Sequence, residues 1–229
     1  MSDFKVTTES AAAAWTNAFD ALNGDTAAMC GVIAAKLGGL VKDSARVSEF
    51  MKIVAEHYNN NPYHSFTHAC HVTLGVHCLM EHIEDELAAH FDLVERLALL
   101  FSAIIHDVDH LGVFNSKLVA DRHPYAIAFN DQSVAEMRSL FLGFEILEKV
   151  ECNFLKDILS VQEYMRFRKI VIDLVLCTDI GSKDRTRLTM LKISEACDEA
   201  TGCVNAAGLG TNADSRLAVL MLMLKAADV

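Results

Sequence analysis

Residues 93–110 read LVERLALLFSAIIHDVDH. From Leu93 to Ile105 apolar side chains fall on nearly every face (Leu97, Ala98, Leu99, Leu100, Phe101, Ala103, Ile104, Ile105), which predicts a central helix enclosed by protein on all sides. The stretch then ends in His106-Asp107-Val108-Asp109-His110, where four of the five residues are ionisable. An apolar helix seldom ends this way unless those side chains face something polar, because desolvating an unpaired charge is costly. His and Asp are also ligand types suited to Zn²⁺, Mg²⁺ or Mn²⁺ in hydrolytic sites.

Helical patterns continue on both sides of this segment. Upstream, Val47, Phe50, Met51, Val54 and Tyr58 follow the helical period behind Asp43 or Ser44, either of which can cap a helix. Asn59-Asn60-Asn61-Pro62 makes a break, and Pro62, which has no N–H, is suited to open a helix from Tyr63 to about Leu87. His64, His68 and His71 stand there at i, i+4 and i+7, on one stripe. Downstream of a break near Gly112, Val134, Met137, Phe141, Phe144 and Leu147 mark a helix within 131–150. Ser160 and Glu163 form a capping box for a helix to about Leu176. A further helix covers Arg185–Ala200, and residues 201–212, with Gly202, Gly208 and Gly210, read as a loop. Asp214 can cap a last helix, Ser215–Asp228. Residues 10–42 are Ala-rich, with Gly24, Gly31, Gly38 and Gly39 dividing them into short helices.

The chain therefore reads as all-α: an N-terminal helical segment, 1–42, and a compact multi-helix domain, 43–229. Composition agrees. Only 2 Pro and 11 Gly in 229 residues leave little of the punctuation that sandwiches and barrels need, and 52% hydrophobic residues exclude disorder. A formal net charge of −11 argues against a nucleic-acid partner. Seven Cys, an odd number without a CxxC pair, suit a reduced chain better than a disulfide framework. No secretory signal opens the sequence, and the apolar runs Leu97–Ile105 and Leu217–Leu224 are far shorter than the roughly 20 residues that span a bilayer. A cytoplasmic location is expected, either free or as the cytosolic part of a larger tethered protein. His57, His77, His82, His90 and His123 read as ordinary solvated or hydrogen-bonded histidines.

The segment Asn61-Pro62-Tyr63-His64-Ser65-Phe66-Thr67-His68-Ala69 resembles the NPYHNxxHA signature of class I cyclic-nucleotide phosphodiesterases. Residues 106–115, from His106 through Asp107 and His110 to Asn115, resemble that family's HDxDHxGxxN motif. Asn130-Asp131-Gln132-Ser133-Val134-Ala135-Glu136 is similar to NDxSVxE, Cys177-Thr178-Asp179 to the later ATD element, and Lys225-Ala226-Ala227-Asp228 to CAD. The motifs follow the family's order over residues 45–229.

What the resemblance implies is an HD-type, phosphodiesterase-like fold and hydrolysis of cAMP or cGMP to the 5′-monophosphate, ending a signal. It implies two divalent metal ions, Zn²⁺ with Mg²⁺ or Mn²⁺. His68, His106, Asp107 and Asp228 are implied as ligands of the first, with Asp107 bridging to a second held largely by waters. His64 is implied as proton donor to the leaving oxygen and Glu136 as the group orienting it, while His110 lies near the bridging solvent and the phosphate. The chemistry is sound on its own terms: a metal acidifies water and offsets phosphoryl charge, and an imidazolium suits a leaving oxygen near pH 7.

Two departures qualify this. His71 stands where the family often has Asp, and Glu136-Met137-Arg138-Ser139 replaces a Glu-Asn-His-His run. Losing outer-shell groups typically costs roughly 10–100-fold in metal affinity or activity. The family's purine-clamping segment normally lies beyond the CAD element, so a domain incomplete at its C-terminus is expected, weak or inactive as it stands. Asp228 is expected to sit in a fraying last turn. A longer parent could carry regulatory or cyclase domains. The competing readings are another HD-type phosphohydrolase and a non-catalytic binding or regulatory module. The sequence predicts that His64, His68, His106, Asp107 and Glu136 converge.

Overall fold

The computed structural model describes residues 25–82, 89–198 and 206–228. Among these the chain forms eleven helices and no strand, the all-α class expected. In order they are α1 (Thr26–Gly38), α2 (Ser44–Glu56), α3 (Phe66–His82), α4 (Leu93–Ile105), α5 (Asn115–Ala120), α6 (Pro124–Ala128), α7 (Val134–Leu147), α8 (Val161–Cys177), α9 (Lys183–Ala196), α10 (Ala206–Thr211) and α11 (Ala213–Ala227).

Helix α4 is the axis of the core. Every residue from Val94 to Ile105 except Arg96 is buried, and α3 and α8 pack along it. Phe101 joins three neighbours: its ring stacks on Phe50 of α2 at 5.4 Å and meets Phe167 of α8 at 5.3 Å and Phe144 of α7 at 5.6 Å. Burying each such side chain contributes roughly 1.5–3 kcal/mol, and aromatic contact adds to that.

The start of α4 is pinned by charge. Asp92 and Glu95 form a capping box, and Glu95 Oε1, almost wholly buried, accepts from Arg166 Nη2 of α8 at 2.6 Å and Arg216 Nε of α11 at 2.8 Å. A buried carboxylate with two guanidinium partners and a backbone donor is satisfied, so it costs little to keep and much to unpair. Arg216 lies in the first turn of α11. Helices α4 and α11 therefore run in the same direction, start beside start. Their ends also meet, so the residue after α11 arrives at the residue after α4.

Several elements differ from the sequence reading. Helix α1 runs unbroken through Gly31, because Met29, Ile33 and Leu37 form one buried stripe whose packing outweighs the roughly 1 kcal/mol that Gly costs in a helix. Residues 1–24 lie outside the described residues, as does the tail of the helix expected to reach Leu87. Helix α3 begins at Phe66, not at Tyr63: Asn61 Nδ2 donates to the His64 carbonyl at 3.0 Å and holds a bend. Ser65 then caps the helix, its Oγ accepting from His68 N at 3.3 Å. Asn212, not Asp214, caps α11, its Oδ1 accepting from Asp214 N at 2.9 Å, and Asp214 sits in the first turn, where a negative charge suits the helix dipole. Part of the expected 201–212 loop is α10, because Leu209 is buried and its carbonyl accepts from Arg216 Nη1 at 2.8 Å. Short helices α5 and α6 fill the break after Gly112.

Where α7 crosses the end of α4, only glycine fits. A Cβ on Gly143 would lie 2.6 Å from Ile105 Cδ1 and 3.1 Å from Ile105 Cβ. Gly143→Ala should therefore lower stability by about 1–3 kcal/mol, as overpacking does. Urea unfolding checks this, and an unchanged midpoint would show that α4 and α7 are less closely locked.

Candidate functional site

Three helix ends meet at the C-terminal end of α4. His106 is the residue that caps α4, and its Nδ1 lies 3.0 Å from the Ala103 carbonyl. That bond makes Nδ1–H the donor and turns Nε2 away from the helix. His68, in the first turn of α3, brings its own Nε2 to the same point. Asp228 caps α11 and places Oδ1 2.9 Å from His68 Nε2 and 3.2 Å from His106 Nε2. Asp107 adds Oδ2, 3.3 Å from His106 Nε2 and 3.7 Å from His68 Nε2. This Oδ2 is buried and has no hydrogen-bond partner.

With Nδ1 donating, a neutral His106 would turn a lone pair on two carboxylates. Such a cluster requires a positive charge at its centre. Without a metal a proton supplies it: burial alone would push His106 down, but Asp107 and Asp228 outweigh it and raise His106 well above the usual imidazole range. Burial likewise works against ionising Asp107 and Asp228, yet the histidines hold both below the usual carboxylate range. Two imidazole nitrogens and two carboxylate oxygens, one of them an orphan, are a donor set that fits a divalent cation. His68, His106 and Asp107 offer ligand atoms within 4.8 Å of one another.

His64 and His110 stand beside this cluster, their rings stacked at 3.8 Å. Together with Asp107 they form a second group with ligand atoms within 4.8 Å. Here the tautomer points another way. His110 Nδ1 accepts from Gly112 N at 3.0 Å, so the neutral ring carries its proton on Nε2 and is a hydrogen-bond donor. Burial lowers its pKa and favours that neutral form. His64 precedes α3 and so does not share a helical stripe with His68, although the two rings still lie 6.5 Å apart.

Glu136, in the first turn of α7, is raised to about 7, chiefly by burial. Its carboxylate accepts from Asn115 Nδ2 at 2.8 Å, and among the described residues no hydrogen bond joins it to His64. Burial pushes His71 down to about 4. His57, His77 and His123 are hydrogen-bonded or ion-paired locally, to Ile53, Glu81 and Tyr125.

Three residues that support the site are not singled out in the sequence. Tyr63 OH donates to the Asp228 carbonyl at 3.0 Å, and its ring lies 4.4 Å from that of His68. With Asp228 N also bonded to Leu224 O at 3.0 Å, Asp228 is tied down instead of frayed. Asn59 and Asn61, read only as a break, both donate to the His110 carbonyl, at 3.0 and 2.7 Å. Gly112 has φ +71°, and a Cβ there would lie 2.9 Å from Asn61 Oδ1, so glycine is required. Three asparagines in a row before a proline were the available signal, since Asn side chains readily bond backbone groups in turns.

Residues 63–229 match the family model described as 3′5′-cyclic nucleotide phosphodiesterase. The probable 3′,5′-cyclic-AMP phosphodiesterase pde-4 of Caenorhabditis elegans is 37% identical over 173 residues, covering 76% of this chain and 25% of that protein. The 3′,5′-cyclic-AMP phosphodiesterase 4C of Rattus norvegicus is 35% identical over 174 residues, covering 76% and 31%. The chain thus spans about a quarter to a third of these curated relatives. The crystal structure of the phosphodiesterase domain of the RhoPDE fusion protein from the choanoflagellate Salpingoeca rosetta superposes with a TM-score of 0.76 at 31% identity. That match covers 89% of this chain and 62% of the solved one.

Glu136 provides a pH test of this geometry. Its carboxyl titrates near 4.5 when unfolded and near 7 when folded. Its contribution to stability is complete below about pH 4.5 and is lost as pH rises through about 7, because ionising a buried carboxyl disfavours folding. Relative to Glu136→Gln, the unchanged protein should lose up to about 3 kcal/mol of stability across that window. Urea unfolding from pH 4.5 to 7.5 checks this, and a constant difference between the two proteins would contradict it.

Proposed function

The chain belongs to the 3′,5′-cyclic nucleotide phosphodiesterase family, and from that premise we propose that its site hydrolyses 3′,5′-cyclic nucleotides to nucleoside 5′-monophosphates. The observation that carries this reading is the convergence of His68 Nε2, His106 Nε2, Asp107 Oδ2 and Asp228 Oδ1 from three helix ends. These four residues are assigned to hold one divalent cation. Asp107 is also assigned to help hold a second, whose remaining ligands would be largely waters. Zn²⁺ with Mg²⁺ or Mn²⁺ is the pair this N/O donor set suits. A divalent cation bound there supplies positive charge against the phosphoryl oxygens and acidifies a bound water.

The chain's own groups have separate tasks. His64 stands beside the cluster as proton donor. In the reaction a water oxygen forms the new bond to phosphorus as one of its protons passes to solvent, the P–O3′ bond breaks, O3′ takes a proton from His64, and His64 regains one from solvent. An alkoxide would otherwise be a poor leaving group, and an imidazolium matches this transfer near neutral pH. His110, kept neutral with its proton on Nε2, is a donor for a phosphoryl oxygen. Glu136 is assigned to orient His64.

cAMP is the first substrate to test, because the curated relatives are named as cyclic-AMP phosphodiesterases. Residues 43–229 are proposed as phosphodiesterase domain, with α1 packed on α2 and α3. No helix among the described residues is long and apolar enough to cross a membrane, and a cytosolic site of action is proposed from the odd number of cysteines and the substrate. The solved relative is part of a rhodopsin fusion, which supports regulatory domains as partners in a longer parent.

The test separates metal from proton donor. His68→Ala and Asp107→Ala should lose bound metal, measured by elemental analysis after dialysis, together with release of 5′-AMP. His64→Ala should keep the metal and lose about 10²–10⁴-fold in turnover. Equal metal loss in all three variants would overturn the role of His64, and full retention in Asp107→Ala would overturn the site.

A further inference from the structure

Consecutive residues of α7 grip the loop that follows α4. Ser139 Oγ donates to the Val108 carbonyl at 2.9 Å, and Arg138 Nε donates to Asp109 Oδ2 at 2.8 Å. The same Oδ2 accepts from Tyr125 OH of α6 at 2.9 Å, and the Arg138 guanidinium lies over the Tyr125 ring at 4.6 Å. Arg138, Tyr125 and Asp109 thus close a triangle, each touching the other two. Asn59 Nδ2 approaches Asp109 Oδ1 from the opposite side at 3.3 Å, and Asp109 N donates to the His57 carbonyl at 3.1 Å. Asp109 itself is left-handed, with φ +61°, a conformation that a non-glycine residue keeps only where its surroundings over-determine it.

We propose that Arg138 is a positioning residue for the cation site, holding Asp109 so that the His106–His110 loop aims Asp107 and His110 inward. This rests on the cation-site reading above. Two properties of the guanidinium suit it to the task. It stays charged at every relevant pH, and it has no lone pair with which to bind a cation. It can therefore neutralise Asp109, two residues from Asp107, without becoming a ligand. Left unpaired, the Asp109 carboxylate would add a third negative charge beside Asp107 and Asp228 and would release the left-handed turn. Positions 138 and 139, Arg and Ser where the family run has two histidines, thus carry a strap built from different chemistry.

The experiment titrates Mn²⁺ into the 229-residue chain, following free Mn²⁺ by electron paramagnetic resonance, and records melting in chelator. Arg138→Met should weaken Mn²⁺ binding roughly 10–100-fold, the range for groups that orient ligands, with the chain still folded and only a modest fall in chelated melting. Arg138→Lys should recover most of that affinity, because it restores the charge. The double variant Arg138→Met/Asp109→Asn should bind no more weakly than Arg138→Met alone. Should Arg138→Met fail to fold, Tyr125→Phe, which deletes one hydrogen bond to Asp109, should still weaken binding severalfold. Affinity within twofold of the unchanged chain in either variant, or a fall in chelated melting with affinity unchanged, would overturn the proposal. Absence of Mn²⁺ binding by the unchanged chain would instead overturn the cation-site reading, and this inference with it.

Discussion

Four lone-pair-bearing atoms crowd one point at the end of a buried helix, and among the described residues no group with a permanent positive charge stands between them. His106 Nδ1 is committed to the Ala103 carbonyl, so its Nε2 faces Asp107 and Asp228 at 3.3 and 3.2 Å. A proton can occupy the centre, and a divalent cation fits it better, because it also satisfies Asp107 Oδ2, which otherwise has no hydrogen bond. The rest of the fold can be read as what brings these atoms together and keeps them there. The Glu95–Arg216 pair joins the starts of α4 and α11, and their parallel course then delivers Asp228 to His106 at the far end. A surface pair so far from the site would matter little, but Glu95 is almost wholly buried and would be left as a desolvated charge without its arginines.

Much of this was legible. The apolar run from Leu97 to Ile105 announced a helix buried on every face, and an abrupt change to His106-Asp107 marked its end as polar for a reason. Asp43, Ser160 and Glu163 cap where their residue types predict. The convergence of His68, His106, Asp107 and Asp228 could be expected from the family resemblance of their motifs, and the structure brings the four together. What could not be read was support that depends on tertiary contact. Tyr63 reaches Asp228 across 165 positions of sequence, and Asn61 reaches the His110 carbonyl across 49. Side chain to backbone bonds of that span leave no periodic trace. His64 was placed on a helix because i, i+4 spacing is a necessary feature of a shared face, not a sufficient one. The Asn61 side chain, bonded to the His64 carbonyl, delays the helix to Phe66.

The Met137-Arg138-Ser139 segment shows why counting lost residues is a weak guide. Read as sequence, it is the absence of two imidazoles. In the fold, Ser139 and Arg138 hold the backbone of Val108 and the side chain of Asp109, so the loop is strapped. The same caution applies to Gly143 and Gly112. Gly143 admits α7 against Ile105, one residue before His106, and Gly112 admits the Asn61 side chain against the loop. Both glycines shape the site while carrying no chemistry.

The central claim, that imidazole nitrogen and carboxylate oxygen together bind the cation, has one competitor in this chain: its seven cysteines, which offer softer ligands to zinc. X-ray absorption at the zinc edge, on the chain loaded with one equivalent of Zn²⁺, separates the two. The account predicts a first shell of nitrogen and oxygen only, at about 2.0–2.2 Å, with the outer-shell scattering of two imidazole rings. A shell dominated by sulfur near about 2.3 Å, or one without imidazole scattering, would contradict it.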